Sequence, residues 1–132
     1  MKNKIIVVDD EYVIGETLKA YLETQNFEVS ILTDAIGLVE KLDGDVCDLV
    51  ILDLALAEAD GLEVLEMLKQ IRPGLPVLIL TGMGYDNELM REAMRLKADG
   101  YMSKTVALPH LATEVRRILR GANYGTKAVA EK

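Results

Sequence analysis

"KIIVVDDEY", residues 4–12, runs four β-branched residues, Ile5 to Val8, straight into three consecutive acids, Asp9, Asp10 and Glu11. A continuous β-branched run reads as a strand buried on both faces, the kind found inside a parallel sheet. Carboxylates crowded at its exit repel one another unless positive charge stands among them. Either Asp9 or Asp10 merely caps the next helix, or the pair belongs to a cation site. The rest of the chain decides between the two.

Outward from this stretch, strand-like and helix-like patterns alternate to the end. A helix over residues 11–24 places Val13, Ile14, Leu18, Tyr21 and Leu22 on one face. Gly15 interrupts it at a cost of about 1 kcal/mol relative to alanine, which packing must offset. "FEVSIL" is a second strand, residues 34–42 a short helix, and "DGD" a turn. "DLVILDL", "LPVLILTG" and "DGYMSK" supply three more strands, separated by the helical patterns "DGLEVLEMLKQI" and "DNELMREAMRLKA", the latter capped by Asp86 or Asn87. A last helix over residues 108–120 turns Leu111, Ala112, Val115, Ile118 and Leu119 inward, with Gly121 expected to end it. Five βα units in strict alternation predict an α/β fold, a doubly wound parallel sheet with helices on both faces. Residues 1–120 are expected to form one domain and 121–132 a flexible tail.

Composition narrows the function. The chain has 132 residues and a formal charge of −7, which argues against direct nucleic-acid binding by this domain. No stretch approaches the roughly 20 apolar residues that cross a bilayer, and the N-terminus lacks a signal-peptide pattern, so a cytoplasmic address is expected. A single cysteine, Cys47, excludes an internal disulfide and reads as a quiet buried thiol. A single histidine, His110, leaves little room for a His-based metal cage or a Ser-His-Asp triad. Basic residues in "EVRRILR" read as a solvated helix face.

Ligands of open α/β sheets bind beyond the carboxyl ends of the strands. At those ends stand Asp9 and Asp10, Asp53, Thr81 and Lys104. Singly, each has an ordinary explanation as a turn, cap or surface residue. Together, three acids, a hydroxyl and an ammonium on one rim select a site. The ordered set "VVDDE", "DLVILDLALAEADGLE", "PVLILTG" and "ADGYMSK" resembles the response-regulator receiver domain of two-component signalling over residues 3–120.

That resemblance implies a flavodoxin-like (CheY-like) sheet of strand order 2-1-3-4-5 with five helices. It implies Asp53 as the phospho-acceptor, attacking the phosphohistidine of a sensor histidine kinase or phosphotransfer protein. Mg²⁺, with Mn²⁺ as a substitute, would be held by Asp10 and Asp53 directly, by Asp9 through water and by the Ala55 carbonyl. Six-oxygen coordination with several retained waters suits such a rim. Lys104 and Thr81 would receive the phosphoryl oxygens. Thr81 and Tyr101 would form the switch, altering an output face on the fourth helix, fifth strand and fifth helix, with a phosphorylation-dependent homodimer as one outcome. Gly82 would leave the phosphoryl group unobstructed, and Gly61 matches a glycine near the third helix. Glu11 is expected as a first-turn acid of its helix. No membrane partner and no enzymatic turnover of external substrates are implied.

The sequence departs from the family pattern in two places. Thr105 follows Lys104 where proline is usual, often after a cis bond. A cis bond before threonine costs about 2.5–4 kcal/mol, so a trans bond with a reshaped loop, or a cis bond held by its neighbours, is expected. Ala57 replaces another common proline and should loosen the loop after Asp53. Ala55 and Met83 offer no group to orient a hydrolytic water, which points to a long-lived phosphorylated state. Two other readings compete. One is a receiver-like scaffold that binds partners without phosphate. The other is an aspartate-nucleophile phosphohydrolase of the haloacid-dehalogenase type, disfavoured because its second acid would fall at Ala55.

Overall fold

The computed structural model describes residues 2–44, 46–56, 59–82 and 86–131, the last stretch as backbone alone beyond residue 121. Ala57 and Met83, on which two of the expectations above rest, lie outside the described residues. Five strands and five helices alternate: β1 Asn3–Val8, α1 Tyr12–Thr24, β2 Phe27–Leu32, α2 Ala35–Gly44, β3 Leu49–Leu52, α3 Gly61–Ile71, β4 Val77–Thr81, α4 Asn87–Arg95, β5 Gly100–Ser103 and α5 Leu108–Glu131. All pairings are parallel and the sheet order is β2-β1-β3-β4-β5, as expected.

The period-2 alternation of the central strands divides the core in two. Ile6 and Val8, in register with Val50 and Leu52, face Leu38 and Leu42 of α2 and Val64, Leu65 and Leu68 of α3. Ile5 and Val7, in register with Leu49 and Ile51, face Leu18 and Leu22 of α1 and Leu111, Ala112, Val115 and Ile118 of α5. Both faces of β1, β3 and β4 are therefore buried, which explains their unbroken apolar runs.

Helix entries follow from short side chains. Asp60 caps α3 by accepting the Leu62 N–H, and Asp86 caps α4 by accepting those of Glu88 and Leu89. Asp34 Oδ1 accepts the Gly37 N–H at 2.7 Å just before α2. Gly15 has its reason in packing: a Cβ there would lie 2.7 Å from Ile31 Cγ2 of β2, so only glycine lets α1 sit this close to the sheet. Asn26 and Lys97, after α1 and α4, take positive φ of 72° and 77°, turns that carried no glycine signal.

Three local expectations are corrected. Val13 is 77% exposed rather than inward, because α1 presents Leu18 and Leu22 to the core and leaves its first turn beside the rim. Glu11 is the N-cap residue of α1, not a first-turn acid, and its side chain makes no capping bond. α5 continues through Gly121 to Glu131, since glycine in a helix interior costs about 1 kcal/mol but removes no backbone hydrogen bond. Among the described residues, no helix is long and apolar enough to cross a membrane.

Candidate functional site

The strand order reverses between β1 and β3, and the residues that follow these two strands are Asp9 and Asp53. Both continue the ladder: Asp9 N–H donates to Leu32 O and Asp53 N–H to Val8 O, each at 3.0 Å. The backbone thus fixes two carboxylates side by side in a crevice, buried to 2% and 3% exposure. Asp10, half-buried, joins them, and carboxylate oxygens of the three lie within 4.8 Å of one another.

Lys104, immediately after β5, reaches into this group. Its Nζ stands 2.8 Å from Asp9 Oδ2, 3.0 Å from Asp53 Oδ2 and 3.3 Å from Glu11 Oε1, using all three ammonium hydrogens on carboxylates. Burial works to lower the Lys104 pKa, yet hydrogen bonds and charge from Asp9 and Asp53 outweigh it and hold the ammonium well above the usual lysine range. Burial raises the Asp9 pKa, against the opposing pull of Lys104 and of the Glu11 N–H, which donates to Asp9 Oδ1 at 2.9 Å. One ammonium among three carboxylates leaves the cluster anionic. Like charges about 4 Å apart repel by roughly 4 kcal/mol at an effective dielectric near 20, so a further cation is favoured there. An all-oxygen donor set of this size fits a hard divalent cation.

The β3–α3 loop is pinned close to the site. The Ala55 N–H donates to Asp53 Oδ1 at 3.1 Å, Ala55 bridges to Asp60, and the Gly61 N–H donates to Leu54 O at 3.0 Å. Thr81 ends β4 fully buried, and its carbonyl accepts the Lys104 N–H at 2.8 Å. Among the described residues, a Cβ on Gly82 would meet the Lys104 stem alone, at 3.6 Å, which puts this glycine against the same lysine. Tyr101 of β5 packs its half-buried ring on the α2–α3–α4 side of the core. Its buried hydroxyl has no hydrogen-bond partner among the described residues, and burial together with the nearby Asp86 charge raises its pKa.

The structure therefore brings Asp9, Asp10, Asp53 and Lys104 into one cluster, with Thr81 tied to Lys104 through the backbone. The Lys104–Thr105 peptide bond is trans, so the first of the two expected loop forms holds. Sequence reasoning missed the Glu11–Lys104 ion pair and a hydroxyl pair formed by Ser103 and Thr105, 2.8 Å apart. Ser103 is buried next to buried Met102, which alternation along β5 does not give, and nothing local in the sequence linked Glu11 to the residue that follows β5. Cys47 is buried, with its Sγ 3.3 Å from Leu49 O and burial raising the thiol pKa, as befits an unreactive core cysteine.

Known proteins resemble this chain in sequence and fold. The family described as the response regulator receiver domain matches residues 5–116. The response regulator MprA of Mycobacterium ulcerans is 32% identical over 120 residues, covering 91% of this chain and 51% of that protein. The alkaline phosphatase synthesis transcriptional regulatory protein PhoP of Bacillus subtilis is 33% identical over 120 residues, covering 91% and 50%. The chain thus spans about half the length of the curated relatives it matches. Among solved structures, a CheY-like response regulator receiver domain protein from Methanospirillum hungatei superposes with a TM-score of 0.88 at 26% identity, over 95% of this chain and 99% of that one. With the sheet order, the acidic crevice at its switch point and the lysine that spans it, these likenesses have one meaning: the chain belongs to the receiver-domain family of two-component response regulators.

Proposed function

We propose that Asp53 is the residue of this receiver domain that takes up a phosphoryl group from a phosphohistidine on a histidine kinase or phosphotransfer protein. An Asp53 carboxylate oxygen attacks phosphorus of a phosphohistidine whose other ring nitrogen carries a proton, the P–N bond breaks, and the electron pair leaves with the ring, which departs as neutral imidazole as the acyl phosphate forms. The observation that carries this reading is the Lys104 ammonium bridging two buried aspartates, with Asp10 alongside, at the sheet's switch point.

Asp10 and Asp53 would hold Mg²⁺ or Mn²⁺ directly, Asp9 through water, and the Ala55 carbonyl would add a further oxygen. The bound ion supplies positive charge against the oxygens of the transferring group. Lys104 exchanges one of its carboxylate contacts for a phosphoryl oxygen, and Thr81 offers its hydroxyl to another. Tyr101 is the second switch residue. A buried unpaired hydroxyl costs about 1–3 kcal/mol, so a second position that satisfies it lies within reach of a modest perturbation. The α4–β5–α5 face then changes toward an output partner or a second copy of the chain. The exposed apolar side chains of Tyr12 and Val13, at the start of α1 beside the rim, suit contact with the incoming phosphodonor.

Residues 1–120 are the phosphorylatable unit, the protein acts in the cytoplasm, and its chemistry is confined to its own aspartyl phosphate. Incubation with acetyl phosphate and Mg²⁺, followed by intact mass and peptide mapping, is expected to find one phosphoryl group on Asp53. None should appear in Asp53→Ala or in the presence of excess EDTA. No gain in the native chain, or a gain that persists in Asp53→Ala, would refute the assignment.

A further inference from the structure

The residues flanking Lys104 form a small hydroxyl clamp. Ser103, the last residue of β5, is buried to 4% exposure. Its Oγ accepts the Thr105 N–H at 3.2 Å and shares a hydrogen bond with Thr105 Oγ1 at 2.8 Å. The Ser103 carbonyl accepts the Val106 N–H at 3.1 Å, closing the turn. From the other side the Lys104 N–H is held by Thr81 O at 2.8 Å. The lysine backbone is fixed between these contacts, and its ammonium is held by the carboxylates of Asp9, Asp53 and Glu11.

That arrangement suits what Lys104 has to do. Its ammonium must leave Asp53 Oδ2 for a newly attached phosphoryl oxygen, a movement of side-chain torsions about a fixed Cα. Threonine has no ring to restrict the backbone at this turn, and any tilt there is magnified along the lysine stem. A displacement of about 1 Å at a reacting centre can cost on the order of 10²-fold in rate. Removing the Thr105 hydroxyl would also deprive the buried Ser103 Oγ of a partner.

We propose that Thr105, acting through the Ser103 hydroxyl, is a positioning residue that sets the reach of the Lys104 ammonium toward a phosphoryl group on Asp53. The proposal rests on Asp53 being the acceptor. Thr105 itself is exposed, so its replacement leaves the core untouched.

The test measures the maximal rate of phosphoryl uptake from acetyl phosphate at saturating Mg²⁺, with Mg²⁺ affinity and thermal midpoint followed in parallel. Thr105→Val is expected to slow uptake by about tenfold or more while leaving the Mg²⁺ affinity unchanged. Thr105→Ser, which keeps the Oγ, should stay within about threefold of the native rate, as mild exposed substitutions do. Ser103→Ala should reproduce the slowing. A role confined to local stability would move the midpoint and not the rate. Native uptake in Thr105→Val, or equal slowing in Thr105→Ser, overturns the clamp alone. A native chain that takes up no phosphoryl group overturns the Asp53 assignment and the clamp with it.

Discussion

Lys104→Ala is expected to slow phosphoryl uptake by about 10²–10³-fold, the usual effect of removing one preorganised donor from a developing oxyanion. The same substitution should tighten Mg²⁺ binding. In the metal-free protein the Lys104 ammonium already neutralises Asp9 and Asp53 at 2.8 and 3.0 Å, and so competes with any second cation for the same oxygens. Because those two carboxylates hold the lysine firmly protonated, the competition persists across the physiological pH range. Opposite movements of rate and metal affinity are the signature: a substitution that merely loosened the fold would weaken both. Rates from quenched intact-mass time courses, with Mg²⁺ affinity from calorimetry, read the two effects separately. An unchanged rate would remove Lys104 from the reacting group.

Gly61→Ala carries the largest expected effect on stability, about 3 kcal/mol, at the upper end of what overpacking costs. A Cβ at Gly61 would lie 2.6 Å from Leu54 O and 2.8 Å from its carbonyl carbon, with the Leu54 Cα closer still. These are backbone atoms of the segment that directly follows Asp53, and they are tied to Gly61 by its own N–H donating to Leu54 O. No rotamer change relieves such a clash. Either α3 withdraws from the sheet or the loop after Asp53 shifts. Urea unfolding should show the loss at constant m-value. Gly82→Ala is the contrasting control, since among the described residues its Cβ would meet just the flexible Lys104 stem at an ordinary 3.6 Å, and stability should change by no more than about 0.5 kcal/mol. A Gly61→Ala protein as stable as the native one would mean that the β3–α3 loop does not pack as described.

The fold was legible because buried parallel strands have no choice of residue. The runs "IIVV" in β1, "LVIL" in β3 and "VLIL" in β4 are apolar on both faces since helices cover both faces, and the polar residue that ends each run marks the carboxyl edge of the sheet. For the same reason the sequence alone puts Asp9, Asp53 and Thr81 on one rim, where Lys104 joins them at the end of β5. What the sequence concealed depends on side-chain direction across distant elements. Val13 satisfies the helical period yet faces solvent, because the first turn of α1 overhangs the rim instead of the core. Glu11 belongs to the site through an ion pair spanning 93 residues, which no local pattern encodes. Gly15 looked like a weakness in a helix, and its reason appears only when Ile31 of β2 is set against it. The hydroxyl pair of Ser103 and Thr105 was likewise invisible, since it depends on how the turn after β5 folds back.

Everything proposed for this site depends on the anionic crevice accepting a divalent cation. Calorimetric titration of the folded, unphosphorylated chain with MgCl₂ measures this directly. One ion per chain is expected to bind, and Asp10→Ala, which removes a carboxylate that Lys104 does not pair with, should abolish the heat while leaving the protein folded. Absence of uptake by the native chain, or uptake undiminished in Asp10→Ala, would contradict the account.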